Sequence, residues 1–267
     1  MASPKMCHTP TQVAPKTCIV DPILGELTRD RLTRNVWVYQ RKKGHRFSSD
    51  DVVTAFIAAS TAPDASRVLD LGCGLGSVLL HLAWSLPEAR LVGIEAQAIS
   101  FALLERNVRE STFADRIEIL HGDLREPEAI ARLGSGFPLI TGTPPYFPPE
   151  SALDAEDEQR AYARVEYRGG VEAYVQTAAS LLAPNGWLVL CGDSRAQSRV
   201  AAIASTCTLA IHRRCDVTPR EGRATLFSVW TLARTPCGEV KQTELCLRDS
   251  AGRPTTDALR LREFSGF

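Results

Sequence analysis

RVLDLGCGLGSVLLHLAWSL, residues 67–86, reads as a strand, a turn carrying three glycines, and a helix. The apolar run stops at Asp70 and Leu71, Gly72, Gly74 and Gly76 punctuate the turn, and helical spacing of apolar residues begins at Ser77. Outward from it the same alternation repeats: RLVGIEA (90–96), a helix over 99–111, RIEIL (116–120), a short helix over 127–133 and FPLITG (137–142). A helix over 171–183 and the strand GWLVLCGD (186–193) follow, and a further helix covers 199–207. Strand alternating with helix predicts an α/β fold built on a parallel sheet. The segments 208–217 and 224–234 are expected to form an antiparallel pair that closes it. Upstream, NVWVYQ (35–40) is a predicted strand, and residues 48–60 a predicted helix with serines at its start and acids in its first turn. Residues 143–168 read as a long polar loop, and loops of that length in compact domains usually carry function.

The expected organisation is a flexible lead over 1–20, a basic entry strand and helix over 21–66, the main domain over 67–235, and a strand–helix extension over 236–267 packed on it. With 267 residues, 44% hydrophobic and 23% charged, the chain has the make-up of a globular protein, which excludes collagen-like and disordered classes. No apolar run approaches the roughly 18 residues of a membrane helix, so no membrane partner is expected. Thirty-one basic and 31 acidic residues leave no net charge, so any polyanion site must be local. Residues 29–46 hold seven bases against one acid (Asp30), whereas 150–158 hold five acids and no base. The basic run suits phosphate or equally a solvated face. Eight cysteines occur with no C-x-x-C and no histidine at ligand spacing, so no metal site is expected and a reduced cytoplasmic compartment fits. Residues 1–20 lack acids and carry Lys5 and Lys16, weakly similar to an organelle import segment.

The glycines allow a ligand to approach backbone at the carboxyl end of a strand, where open parallel sheets bind ligands. A dinucleotide fingerprint would place its third glycine at 77, which is Ser77. The order found, an acid and then three alternating glycines, suits a ligand bearing an ammonium group, with Asp70 beside it. S-adenosyl-L-methionine is such a ligand. Glu95 closes the next strand and can accept from both hydroxyls of a ribose, and Asp123 in LHGDLRE closes the one after, suited to the adenine amino group. Each acid alone would equally suit a helix cap; three at neighbouring strand ends with the glycine turn point to cofactor binding.

The fourth strand runs into TGTPPYFPP (141–149). Asn, Asp or Ser followed by Pro-Pro-Tyr or Pro-Pro-Phe at this place resembles the motif of class I methyltransferases that modify planar amino nitrogens, in adenine or in glutamine. The resemblance implies a Rossmann-like fold with a mostly parallel seven-stranded sheet, helices on both faces and an antiparallel closing strand. It implies catalytic roles for Thr143, Pro144, Pro145 and Tyr146: Pro144 offers a carbonyl, the prolines stiffen the loop, and the Tyr146 ring stacks on the base, with Phe147 a second surface. This chain departs from the motif at Thr143, whose single hydroxyl replaces an amide or carboxylate acceptor.

The order of features further resembles the bacterial enzymes that methylate the adenine amino group (N6) next to the anticodon of a valine tRNA. Their entry segment is similar to QRKKGHRFSSDDVVTAFIAA (40–59), with Ser49 and Asp50 at the match and implied at the cofactor. Their arginine-rich loop resembles DEQRAYARVEYRGG (157–170), and a late arginine resembles Arg223 in REGRATLFSVW. The resemblance implies S-adenosyl-L-homocysteine as product, an RNA substrate, most simply tRNA, and phosphate contacts by Arg41, Lys42, Lys43, Arg46, Arg164 and Arg223. Arg164 and Arg223 equally suit ion pairs with the acids at 150–158 or with Glu221. His45 reads as an exposed polar side chain. Two alternatives stay open: a protein glutamine N5-methyltransferase, and a cofactor-binding but non-catalytic subunit that holds RNA or another protein.

Overall fold

Gly25–Arg31 pairs antiparallel on both sides, so the N-terminal segment forms its own small sheet. The structure is a computed structural model that describes residues 19–149 and 157–267. Most of the lead, with Cys7 and Cys18, lies outside the described residues, as do the acids at 150–156. The small sheet comprises β1 (Ile19–Asp21), β2 (Gly25–Arg31) and β3 (Trp37–Arg41). β1 and β2 were not legible from periodicity, because Pro22 and Gly25 interrupt the run. Next comes α1 (Ser49–Thr61), whose start is fixed by the Ser48 amide donating to the Asp51 carboxylate at 2.8 Å.

The repeating region then runs β4 (Arg67–Leu71), α2 (Ser77–Ser85), β5 (Arg90–Glu95), α3 (Ala98–Arg109), β6 (Ile117–His121), α4 (Pro127–Leu133) and β7 (Phe137–Gly142). After it come α5 (Glu158–Arg164), α6 (Val171–Leu181), β8 (Leu182–Gly192), α7 (Gln197–Thr206), β9 (Ala210–Thr218) and β10 (Phe227–Ala233). The chain finishes with β11 (Lys241–Cys246) and α8 (Thr256–Phe264). One large sheet has the order β11-β9-β10-β8-β7-β4-β5-β6. β4 to β8 are parallel, and β10 is antiparallel to both β8 and β9. This is the expected Rossmann-like class I architecture with its closing antiparallel strand. The sheet has eight strands instead of seven, because β11 hydrogen-bonds in parallel along β9 and extends the edge.

Alternation along each strand sends side chains to two faces. On β4, Leu69 and Leu71 join one core with α4, α6 and α7, while Val68 joins the other with α1, α2 and α8. The small sheet packs Val38 and Leu27 against Leu80 of α2 and Leu103 of α3. α5 lies inside the stretch read as a loop. Its one buried residue is Gln159, so it has no apolar period to read. The six described cysteines are free thiols. Among the described residues no helix is long and apolar enough to cross a membrane.

Candidate active site

A crevice opens where β4, β5 and β6 end, walled by the glycine turn, Glu95 and Asp123. The turn is held by the Cys73 amide donating to the Ile94 carbonyl (3.0 Å) and the Gly76 amide to the Cys73 carbonyl (2.8 Å). Gly72 and Gly74 take φ of 60° and 58°, the left-handed region that side chains disfavour. Glu95 accepts from the Gly74 amide (2.9 Å) with one oxygen and from the Gln97 amide (2.7 Å) with the other, leaving lone pairs for a diol. Burial raises its pKa. Asp123 is gripped by the Arg125 guanidinium at 2.7 and 2.9 Å, which lowers its pKa. Asp70 stands behind the turn instead of in the wall. Its Oδ1 accepts from the Thr141 hydroxyl (2.7 Å), its Oδ2 is buried with no partner among the described residues, and burial pushes its pKa up to about 7. A buried acceptor left open behind a cradle of acids is the chemistry expected around a cationic ligand with a ribose.

The Thr143–Tyr146 loop reaches the same crevice through Thr143 and Pro145, while Pro144 is buried and neither it nor Tyr146, which packs against the core, is among the lining residues. The Tyr146 and Phe147 amides both donate to the Arg164 carbonyl (3.1 and 3.0 Å), and the Glu166 amide donates to Phe147, so the loop is clamped to the end of α5. Tyr146 is half-buried, its hydroxyl donating to Asp50 at 3.0 Å and 3.0 Å from the Cys191 thiol. Phe147 is 37% exposed.

Ser49 and Asp50 are not among the crevice-lining residues; Asp51 is. Successive residues in a first helical turn point about 100° apart, so Asp50 faces Tyr146 and Asp51 faces the glycine turn. Burial and the neighbouring Asp50 charge raise the pKa of Asp51. His45, read as exposed, is half-buried in the crevice wall, and burial lowers its pKa. Sequence reading also missed Gln97, Ser100, Tyr162, Arg168 and Tyr174, which line the crevice from α3, α5 and beyond. Only the arginine-rich likeness of 157–170 signalled any of them.

Three of the six cations expected at RNA phosphate are engaged within the protein. Arg41 pairs with Asp157 (2.7 Å), Lys42 with Glu26 (2.8 Å) and Arg46 with Asp30 (2.9 Å). The antiparallel ladder of β2 and β3 and the cap of α5 bring these acids across. Lys43 and Arg223 are exposed. Neither Arg164 nor Arg223 has a carboxylate partner among the described residues, and Glu221 instead accepts from the Ser250 amide.

Residues 68–142 match the family model described as a methyltransferase domain. The tRNA1(Val) (adenine(37)-N6)-methyltransferase of Porphyromonas gingivalis strain W83 is 32% identical over 210 residues, 77% of this chain and 81% of that protein. The protein of the same name from Vibrio cholerae is 28% identical, covering 83% and 88%. A release factor glutamine methyltransferase of Geobacter sulfurreducens is 34% identical over 140 residues, 50% of this chain and 47% of that protein. The fold matches the crystal structure of an Agrobacterium tumefaciens protein described as a predicted O-methyltransferase, with a TM-score of 0.63, 17% identity, and 82% and 97% coverage. Sequence likeness across most of both chains, added to a crevice lined together by the glycine turn, Glu95, Asp123, Thr143 and Pro145, places this S-adenosylmethionine-dependent methyltransferase in the tRNA1(Val) (adenine(37)-N6)-methyltransferase family.

Proposed function

We propose that this chain methylates the N6 amino group of an adenine in a tRNA. The observation that carries the reading is that Thr143 and Pro145 wall the same crevice as Gly72, Gly74, Glu95 and Asp123. Bound S-adenosyl-L-methionine supplies an electrophilic methyl group and leaves as S-adenosyl-L-homocysteine. Glu95 is assigned to the ribose hydroxyls and Asp123 to the cofactor adenine. Asp51 and Asp70 are assigned to the positive charge of the cofactor, Asp51 from the wall and Asp70 from behind the turn.

An adenine amino nitrogen is a weak nucleophile because its lone pair is delocalised into the ring. Acceptors that hold its two hydrogens favour pyramidalisation at nitrogen; here they are the Thr143 hydroxyl and the Pro144 carbonyl. Stacking on the base is assigned to Tyr146, whose hydroxyl is anchored by Asp50, with Phe147 as the exposed neighbour. No general base is assigned, since the proton can leave for water after transfer.

The test is labelled S-adenosyl-L-methionine with tRNA lacking its normal methylation, followed by nucleoside identification; label in N6-methyladenosine is expected, and label in no nucleoside would overturn the reading. Thr143→Val, which removes the hydroxyl at nearly constant volume, is expected to lower kcat at least about tenfold, ~1.4 kcal/mol, with cofactor Kd unchanged within about twofold. The glutamine reading has the Geobacter relative in its favour, yet that likeness covers half of this chain against three quarters for the tRNA enzyme. Transfer to a glutamine-bearing protein with none to RNA would select it.

A further inference from the structure

We infer that the outer end of β2 and β3, where Arg29, Arg31 and Trp37 stand exposed beyond the buried Tyr39, is where the RNA strand lies. The inference rests on the reading of RNA as the substrate; Arg29 and Arg31 belong to the basic run of 29–46 but are not among the six residues that the family resemblance assigned to phosphate. Register sets Arg29 opposite Tyr39 and Arg31 opposite Trp37 on one face of the small sheet. Cations and rings alternate there without a break. Arg106 lies 3.9 Å from the centre of the Tyr39 ring, Arg29 lies 5.7 Å from Tyr39 and 5.3 Å from Trp37, and Arg31 lies 5.7 Å from Trp37 and 5.1 Å from Phe267.

The two ends of this ladder differ in charge balance. At the inner end Arg106 is neutralised by Asp21 and Glu110, both at 3.3 Å. At the outer end Arg29 and Arg31 are exposed and have no carboxylate partner among the described residues; Arg31 donates to the Arg34 carbonyl. Asp30 points to the other face, toward Arg46. Trp37 is 41% and Phe267 47% exposed. Unneutralised guanidinium groups interleaved with exposed rings fit a strand of phosphates and bases, and fit a lipid or an acidic peptide less well because neither supplies stacking partners at each step. The same strand leads to the crevice: β3 starts at Trp37, and His45 and Phe47 line the wall. Residues 37–45 span at most about 29 Å, so an RNA arm can touch the ladder while one base enters the crevice.

The test compares wild type with the Arg29→Gln/Arg31→Gln double variant, Trp37→Ala and Trp37→Phe, using an unmodified tRNA transcript as probe. The double variant is expected to bind tRNA at least about tenfold more weakly. Its slope of log affinity against log salt is expected to be shallower by about 1.4 to 1.8, the release of two phosphate contacts. Trp37→Ala weakens binding and Trp37→Phe restores most of it, which a purely structural ring would not do for RNA affinity at constant cofactor affinity. Folded variants that bind tRNA as wild type does, with an unchanged salt slope, overturn the assignment. If wild type methylates tRNA while the variants bind normally, only this surface falls. If binding depends on the ladder and no methyl group enters adenine, the surface stands and the adenine reading falls.

Discussion

Gly72 and Gly74 share a left-handed backbone but not their surroundings. A Cβ on Gly72 would overlap the Tyr174 hydroxyl, whereas one on Gly74 would meet nothing within 4 Å and stand at the crevice wall. The sequence writes both as glycine in one turn; only the arrival of α6 across the crevice separates them. Gly74→Ala is therefore expected to cost about 1–2 kcal/mol of unfolding free energy from backbone strain alone and to weaken cofactor binding by occupying the wall. Gly72→Ala should cost more, since Tyr174 must move as well. Urea unfolding of the two variants checks the order, and equal losses would show that Tyr174 yields freely. The acids are legible to a similar limit. Glu95 and Asp123 sit in the wall as their strand-end positions imply, but no pattern in the sequence tells that Asp70 turns inward to Thr141 or that Asp51 takes the wall.

At the scale of elements, the repeating strands and helices from β4 to β10 were readable because each carries apolar residues at the period of its own geometry. α5 was not, because polar contacts hold it. Asp157 accepts from the Arg160 amide (3.0 Å) and pairs with Arg41, and Gln159 donates to the Ser100 hydroxyl (3.1 Å), which in turn donates to Gln97 (2.7 Å). This chain of partners ties β3, α5 and α3 together across 118 residues of sequence from Arg41 to Gln159. It sets Tyr162 and Ala163 into the crevice wall and presents the carbonyl that clamps the Tyr146 loop. Gln159→Ala leaves buried polar partners unmatched, which costs about 1–3 kcal/mol, and it should also raise the cofactor Kd severalfold by loosening that wall. Thermal unfolding and calorimetric cofactor titration measure the two effects. A destabilised variant with wild-type cofactor affinity would mean that α5 is held for stability only.

Over the whole molecule the charges cancel, yet the crevice and the turn behind it gather carboxylates whose ionisation burial opposes: Asp51, Asp70 and Glu95 all have raised pKa values. Such a group binds its proton more tightly folded than unfolded. For Asp70 the folded value is about 7 against 3.8 for the free side chain, so its contribution to stability is full below the free value and is lost as pH rises toward about 7. The ligand-free protein is thus expected to lose part of its stability between about pH 4 and 7. A cofactor with net positive charge reverses the preference, because it interacts better with ionised carboxylates and drives their protons off. Its affinity should accordingly rise from about pH 6 to about pH 8, with proton release visible when calorimetric heats are compared in buffers of different ionisation enthalpy. Asp70→Asn should flatten that rise. An affinity that is flat with pH in wild type, with no proton released, would mean that Asp70 and its neighbours are already ionised in the empty crevice, and hence that water reaches the acids which the fold places behind the glycine turn.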